Sequence, residues 1–266
     1  MELISANGLE IAYARVGDGP PIVLVHGAAE DGRVWQPQLA ALADEFTLVA
    51  WDEPGAGRSS DLPAGFCLAD YANSLAALIE RLELGPSHVA GLSWGSTLVL
   101  ELYRHRPELV ATLIFAGGYA GWKGSLPQEE VSARVEGVRQ GLGPSAQEFD
   151  VTLPGLFADG PPVEFVPLLE EIAGDVRPES LRTQLYVMAE ADQRDLLPRI
   201  KVPTLLIWGE LDTRSSLSVA NQFQRTIPDT TLEVIPGAGH ACQLERPEQF
   251  NRAVREFCRA HSTGQT

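Results

Sequence analysis

Short apolar runs alternate with amphipathic stretches along most of the chain. Pro21–Val25, Thr47–Trp51, Val89–Leu92, Thr112–Ala116 and Thr204–Trp208 are nearly continuous in apolar residues, as strands buried on both faces of a parallel sheet are. Leu232–Ile235 reads as one more strand, and Glu10–Val16 alternates like a strand with one face in solvent. Between them, Val34–Ala43, Leu68–Leu84, Thr97–Arg106 and Leu217–Thr226 carry apolar residues at helical spacing. Pro247–Arg259 opens with proline, a residue suited to the first helical position. This order predicts an α/β fold, a mostly parallel central sheet flanked by helices.

The alternation stops between Tyr119 and Ile200. That stretch is rich in Gly, Pro and acidic residues, with helical patches at Gln128–Arg139, Val163–Ile172 and Glu179–Glu190. About eighty residues without a strand pattern are too many for a simple connection in a compact sheet. Residues 119–200 are therefore expected to form an inserted helical cap, or lid, on a core made of 1–118 and 201–266. Its apolar residues are Trp122, Phe149, Leu153, Leu156, Phe157, Phe165, Tyr186 and Met188. Packing within the cap is the default role of each; Trp122, Phe157 and Tyr186 are the candidates for substrate contact.

The net charge of −16 argues against a nucleic-acid or anionic-membrane partner, whose phosphates it would repel. No apolar run reaches membrane-spanning length. The start, Met-Glu-Leu-Ile-Ser-Ala-Asn-Gly, lacks the basic and apolar regions of a secretory signal. Cys67, Cys242 and Cys258 are far apart and odd in number, which speaks against a disulfide framework. A cytoplasmic protein is expected, a monomer or homodimer with a small-molecule substrate. Cys242 lies two residues from a histidine, but no second Cys or His stands at ligand spacing, so a packed thiol is the better reading and no metal is expected.

Ligands of open parallel sheets bind beyond the carboxyl ends of the strands, so chemistry is sought there. His-Val-Ala-Gly-Leu-Ser-Trp-Gly-Ser at 88–96 puts Ser93 at a strand-to-helix junction. A serine hydroxyl attacks only when a base takes its proton and donors hold the oxyanion, and a sharp turn there exposes the hydroxyl and aims helix N–H groups at the reacting carbonyl. Gly91 and Gly95 suit so tight a turn, but Gly-x-Ser-x-Gly is weak evidence by itself in a chain with 25 glycines. Other strand ends supply the rest. Thr204–Trp208 runs into Gly-Glu-Leu-Asp, giving Asp212; Leu232–Ile235 runs into Pro-Gly-Ala-Gly-His, giving His240; Pro21–Val25 runs into His26-Gly27-Ala28. His240 can take the Ser93 proton, Asp212 can fix its tautomer, and the N–H groups of Ala28 and Trp94 can cradle the oxyanion.

The rivals are weaker. His88 is too close in sequence to fold back on Ser93, His105 ends a helix, His261 is in a polar tail, and His26 suits a structural role. Glu210 is closer to its strand than Asp212, and Asp52 reads as a turn-stabilising carboxylate. Arg214 could pair with Asp52 or with a substrate anion; the sequence leaves this open.

Over essentially its whole length the chain resembles the α/β-hydrolase fold superfamily. The matching pieces are Val-His-Gly-Ala at 25–28, Asp-Glu-Pro-Gly-Ala-Gly-Arg-Ser at 52–59, Gly-Leu-Ser-Trp-Gly at 91–95, Trp-Gly-Glu-Leu-Asp at 208–212 and Gly-Ala-Gly-His at 237–240. The resemblance implies the same Ser93, Asp212 and His240, the same donors Ala28 and Trp94, a helical cap, and no cofactor. The part from Ala-Asp-Gln-Arg-Asp through Asp-Thr-Arg-Ser is similar to enol-lactonase-like members, whereas Gly-Leu-Ser-Trp-Gly-Ser-Thr-Leu resembles prolyl aminopeptidases. The latter carry His-Gly-Gly-Pro-Gly where this chain has His-Gly-Ala-Ala-Glu. The resulting expectation is a serine hydrolase cleaving a small carboxylic ester or lactone through an acyl-enzyme on Ser93. Carbon–carbon bond hydrolysis, thioester cleavage and aminoacyl removal are alternatives on the same residues, the last requiring a cap acid such as Glu170, Glu171 or Glu190. A non-hydrolytic lyase and a ligand-binding receptor are the readings from other classes.

Overall fold

The computed structural model describes residues 1–141 and 155–262. Its sheet has eight strands: β1 (Glu2–Ala6), β2 (Leu9–Val16), β3 (Pro21–Val25), β4 (Thr47–Trp51), β5 (Ser87–Leu92), β6 (Val110–Ala116), β7 (Thr204–Gly209) and β8 (Thr230–Ile235). Their order is β1-β2-β4-β3-β5-β6-β7-β8. The pairs β1–β2 and β2–β4 are antiparallel and all others parallel. The carboxyl ends of β3 to β8 therefore share one edge.

The apolar runs predict the inner strands because alternate side chains enter two separate cores. Val23, Val25, Val49, Trp51, Leu206 and Trp208 belong to one; Ile22, Leu24, Leu48, Ala50, Leu205 and Ile207 belong to the other. Helices α1 (Gln36–Leu42), α2 (Leu68–Arg81) and α3 (Trp94–His105) cover the two faces. Between β6 and β7 lie α4 (Trp122–Ser125), α5 (Gln128–Gly141), α6 (Val166–Gly174) and α7 (Pro178–Glu190), with no strand among the described residues. After β7 come α8 (Leu217–Thr226), α9 (Cys242–Glu245) and α10 (Pro247–His261). Phe250, Val254, Phe257 and Cys258 of α10 follow helical spacing and are all buried.

Several boundaries differ from the sequence expectation, each for a local reason. The helix expected from Val34 begins as a 3-10 turn, Gly32–Trp35, capped by the Asp31 side chain, which accepts from Arg33 N–H at 3.0 Å. α2 stops at Arg81 because the chain turns into left-handed backbone at Glu83, with φ of +53°. α3 starts at Trp94, directly after Ser93, where Gly95 and Ser96 read as turn residues. β1 was not expected, since it lies at the sheet edge with most of its residues exposed. Its signal is Asn7-Gly8, both at positive φ (52° and 78°), the backbone of a tight hairpin turn.

Candidate active site

Ser93 sits between β5 and α3 with φ of +52° and ψ of −114°. A serine in that region costs about 1–3 kcal/mol of strain. Its own N–H donates to Ala116 O at 2.9 Å, and Ser96 Oγ lies 2.5 Å from Ser93 O while accepting Tyr119 N–H at 2.7 Å. The turn also requires its two glycines. A Cβ on Gly91 would fall 2.6 Å from the Gly95 backbone, and one on Gly95 would fall 2.5 Å from Val25 O. Bare backbone is what lets β5, α3 and β3 approach so closely.

Asp212, past β7, and His240, past β8, meet at the same edge. His240 Nδ1 lies 2.8 Å from Asp212 Oδ2, and both side chains are buried. Asp212 Oδ1 accepts the N–H groups of Arg214 and Ser215, each at 2.8 Å. These bonds fix the carboxylate and favour the tautomer with a proton on Nδ1, leaving Nε2 as the basic nitrogen. Among the described residues Nε2 has no hydrogen-bond partner, so Ser93 Oγ is not bonded to it in this conformation. Both residues line one cavity of about 400 Å³. Gly117, which the sequence reading missed, backs the pair: a Cβ there would lie 2.9 Å from His240 Nδ1 and 3.2 Å from Asp212 Oδ2.

Gly27 and Ala28, past β3, form another wall of the cavity. Neither the Ala28 nor the Trp94 N–H is bonded to another described residue, and Trp94, first in its helix, has no intrahelical acceptor. Several side chains hold this loop. His26 Nδ1 lies 2.8 Å from Gly27 O, and its Nε2 accepts Glu53 N–H at 3.1 Å. That pairing requires a neutral ring, and burial pushes its pKa down in agreement. Glu30 Oε2 accepts Gly27 N–H at 2.8 Å. Glu30 lines the cavity beside Ser93, and burial raises its carboxyl to about 7. Arg134 and Arg214 also line the cavity, opposite in sign to a chain of net charge −16. Leu92, Leu156, Leu181 and Leu185 supply apolar wall.

The three candidate contact residues separate. Trp122 lines the Ser93 cavity, while Phe157 lines a smaller adjoining one that shares Ala28, Glu30 and Leu156. Tyr186 departs from the expectation and lines neither. α7 turns Leu181 and Leu185 to the cavity, and Tyr186 stands about 100° further round the helix. Met188 is in the core with Val23 and Trp208, Phe165 packs against the other core, and Phe149 and Leu153 lie outside the described residues. Neither Glu170, Glu171 nor Glu190 lines the Ser93 cavity; Glu190 pairs with Lys123 at the surface.

The remaining rivals have local partners. His88 Nδ1 lies 2.7 Å from Thr112 Oγ1, and exposed His105 pairs with Glu101 at 3.0 Å. His261 Nδ1 lies 2.9 Å from Phe257 O. Glu210 is exposed and accepts Gly237 N–H at 3.0 Å. Asp52 holds its turn by accepting Gly32 N–H at 2.9 Å and Arg58 N–H at 2.8 Å. Cys242 is buried, and burial pushes its thiol pKa up, away from the reactive thiolate. No three His, Cys, Asp or Glu side chains are grouped as metal ligands, and no helix is long and apolar enough to cross a membrane, among the described residues.

Comparison with known proteins agrees with this architecture. Residues 22–253 match the alpha/beta hydrolase family. The chain is 28% identical over 264 residues to 3-oxoadipate enol-lactonase 2 of Acinetobacter baylyi, covering 95% of this chain and 94% of that one. It is 27% identical over 259 residues to a pimeloyl-[acyl-carrier protein] methyl ester esterase of Vibrio vulnificus, covering 93% and 98%. A thermophilic esterase from Thermogutta terrifontis, solved with malate bound, superposes with a TM-score of 0.86 at 28% identity, covering 99% of this chain and 100% of that one. The chain belongs to the alpha/beta hydrolase family and is a hydrolase enzyme.

Proposed function

We propose that the protein is a serine hydrolase that cleaves a small carboxylic ester or lactone without a cofactor. The observation that carries this reading is the Asp212–His240 pair, 2.8 Å apart, facing the cavity on which the strained Ser93 lies. In the reacting conformation the Ser93 hydroxyl turns to His240 Nε2, one of the staggered positions open to a serine. His240 takes the proton as Oγ bonds to the substrate carbonyl carbon, and Asp212 stabilises the imidazolium. The N–H groups of Ala28 and Trp94 hold the oxyanion, each worth roughly 3 kcal/mol in the transition state. The alkoxide leaves with the proton from His240, and water activated by the same imidazole then frees the acyl group from Ser93. For a lactone both products are parts of one molecule.

Residues 119–200 act as the cap over this cavity, with Trp122 in contact with substrate. Arg134, paired with Glu130 at 2.6 Å, and Arg214 bring positive charge to a largely apolar cavity, which favours a substrate that carries a carboxylate besides the bond to be cut. The malate in the Thermogutta esterase and the dicarboxylate named in the Acinetobacter lactonase support this reading. The test is turnover of p-nitrophenyl butyrate beside a panel of lactones and half-esters of dicarboxylic acids. Ser93→Ala is expected to lower kcat by about 10⁴-fold. A loss below tenfold would remove Ser93 from the mechanism.

A further inference from the structure

Glu53 is a buried carboxyl that the proposed reaction does not use. It follows β4, is 2% exposed, and forms no ion pair among the described residues. Burying a carboxyl without a cation is costly, so its hydrogen bonds need an explanation. Glu53 Oε2 accepts the indole N–H of Trp94 at 2.7 Å, and Oε1 accepts the side-chain amide of Gln184. Gln184 is on α7 and also buried; its Oε1 accepts Ala29 N–H at 3.4 Å. The Glu53 backbone N–H donates to His26 at 3.1 Å. One carboxyl thus ties together the residue after Ser93, the loop that presents Ala28, and a helix inserted between β6 and β7.

We propose that Glu53 and Gln184 are positioning residues that set both oxyanion donors, Trp94 and Ala28, and make their alignment depend on the seating of α7. The inference rests on the serine-hydrolase reading above. Glu53 supplies two acceptors to two donors, while Gln184 spends its NH₂ on Glu53 and its oxygen on Ala29. No other split of donors and acceptors satisfies Trp94, Gln184 and Ala29 together. If α7 shifts, the Ala29 bond and the Glu53 bond are lost with it, and among the described residues the oxyanion loop keeps its ties to His26 and Glu30.

The donor count makes the idea testable by exchange. Glu53→Gln puts an NH₂ where an acceptor was needed, so Gln184 can satisfy residue 53 or Ala29 but not both. Gln184→Glu sets two carboxyls against each other. In Glu53→Gln/Gln184→Glu the residue-53 oxygen still accepts from Trp94, its NH₂ donates to residue 184, and the second oxygen there accepts Ala29 N–H. Assayed at pH 9, where the Glu53 carboxyl is ionised and both its oxygens accept, each single variant is expected to lower kcat for p-nitrophenyl butyrate about tenfold with KM within about twofold, the pattern of lost transition-state stabilisation. The double variant is expected to return to within about threefold of the parent. Rates are taken per active site, titrated with an organophosphonate on Ser93, and folding is checked by circular dichroism, with Gln184→Ala as a further variant should Glu53→Gln not fold. A double variant no faster than the slower single, or single variants that keep the parent kcat, would overturn the proposal. Failure of the parent to titrate at Ser93 would instead overturn the hydrolytic reading on which it rests.

Discussion

At the scale of single residues, the site combines side chains that motifs announce with others that only the folded chain brings in. Ser93, Asp212 and His240 were legible because each ends an apolar run with a short turn. Gly117 also follows a strand, but a glycine there carries no chemistry until the Asp212–His240 pair is seen against it. Glu30 was visible only as a departure from a glycine-rich loop. Its carboxyl, raised to about 7 by burial, is neutral below that pH and becomes an anion above it. The anion would sit on Gly27 N–H, next to the proposed donor Ala28, and oppose a growing oxyanion. Glu30→Gln keeps an acceptor for Gly27 but cannot ionise. The ratio of variant to parent kcat/KM is therefore expected to be several-fold higher at pH 8.5 than at pH 6, read from ester hydrolysis across that range. A ratio independent of pH would assign Glu30 a packing role.

At the scale of elements, periodicity locates the buried strands and helices well and their contacts poorly. β3 to β7 are largely apolar because both faces are covered, whereas exposed β1 leaves only its Asn7-Gly8 turn as a mark. For α7 the sequence gives the helix, but which of its residues face the cavity depends on how the helix is rolled. Leu181 and Leu185 face it, and Tyr186 does not. Leu185→Trp is expected to lower kcat/KM about tenfold for the longer members of an acyl-chain series, with smaller losses for acetate, because it fills cavity space. Tyr186→Ala is expected to stay within about twofold on every member. Equal sensitivity at the two positions would mean that α7 presents another face to substrate.

At the scale of the whole molecule, burial raises the carboxyls of Glu30, to about 7, and Glu53, to about 8, and raises that of Asp52 as well. Each is raised in the folded state, so its stabilising contribution is complete below the ordinary carboxylate range and is lost as pH rises through the folded value. The net charge of −16 acts in the same direction, though diffusely and through solvent. Melting temperature is thus expected to fall between pH 7 and pH 9, above the range in which His26 and His88, both lowered by burial, add stability as pH rises. Salt at 0.5 M, which would shorten the screening length to about 4 Å, should recover only the diffuse part. Glu53→Gln should flatten the remaining slope; an unchanged slope would place the Glu53 carboxyl in contact with water. The most direct measurement on the central claim is the mass of the protein after treatment with an organophosphonate, with the adduct mapped by peptide sequencing. The account predicts one adduct, on Ser93, formed at least about a hundredfold more slowly in His240→Ala. A folded parent that takes no adduct there, or a His240→Ala variant that reacts as fast, would contradict it.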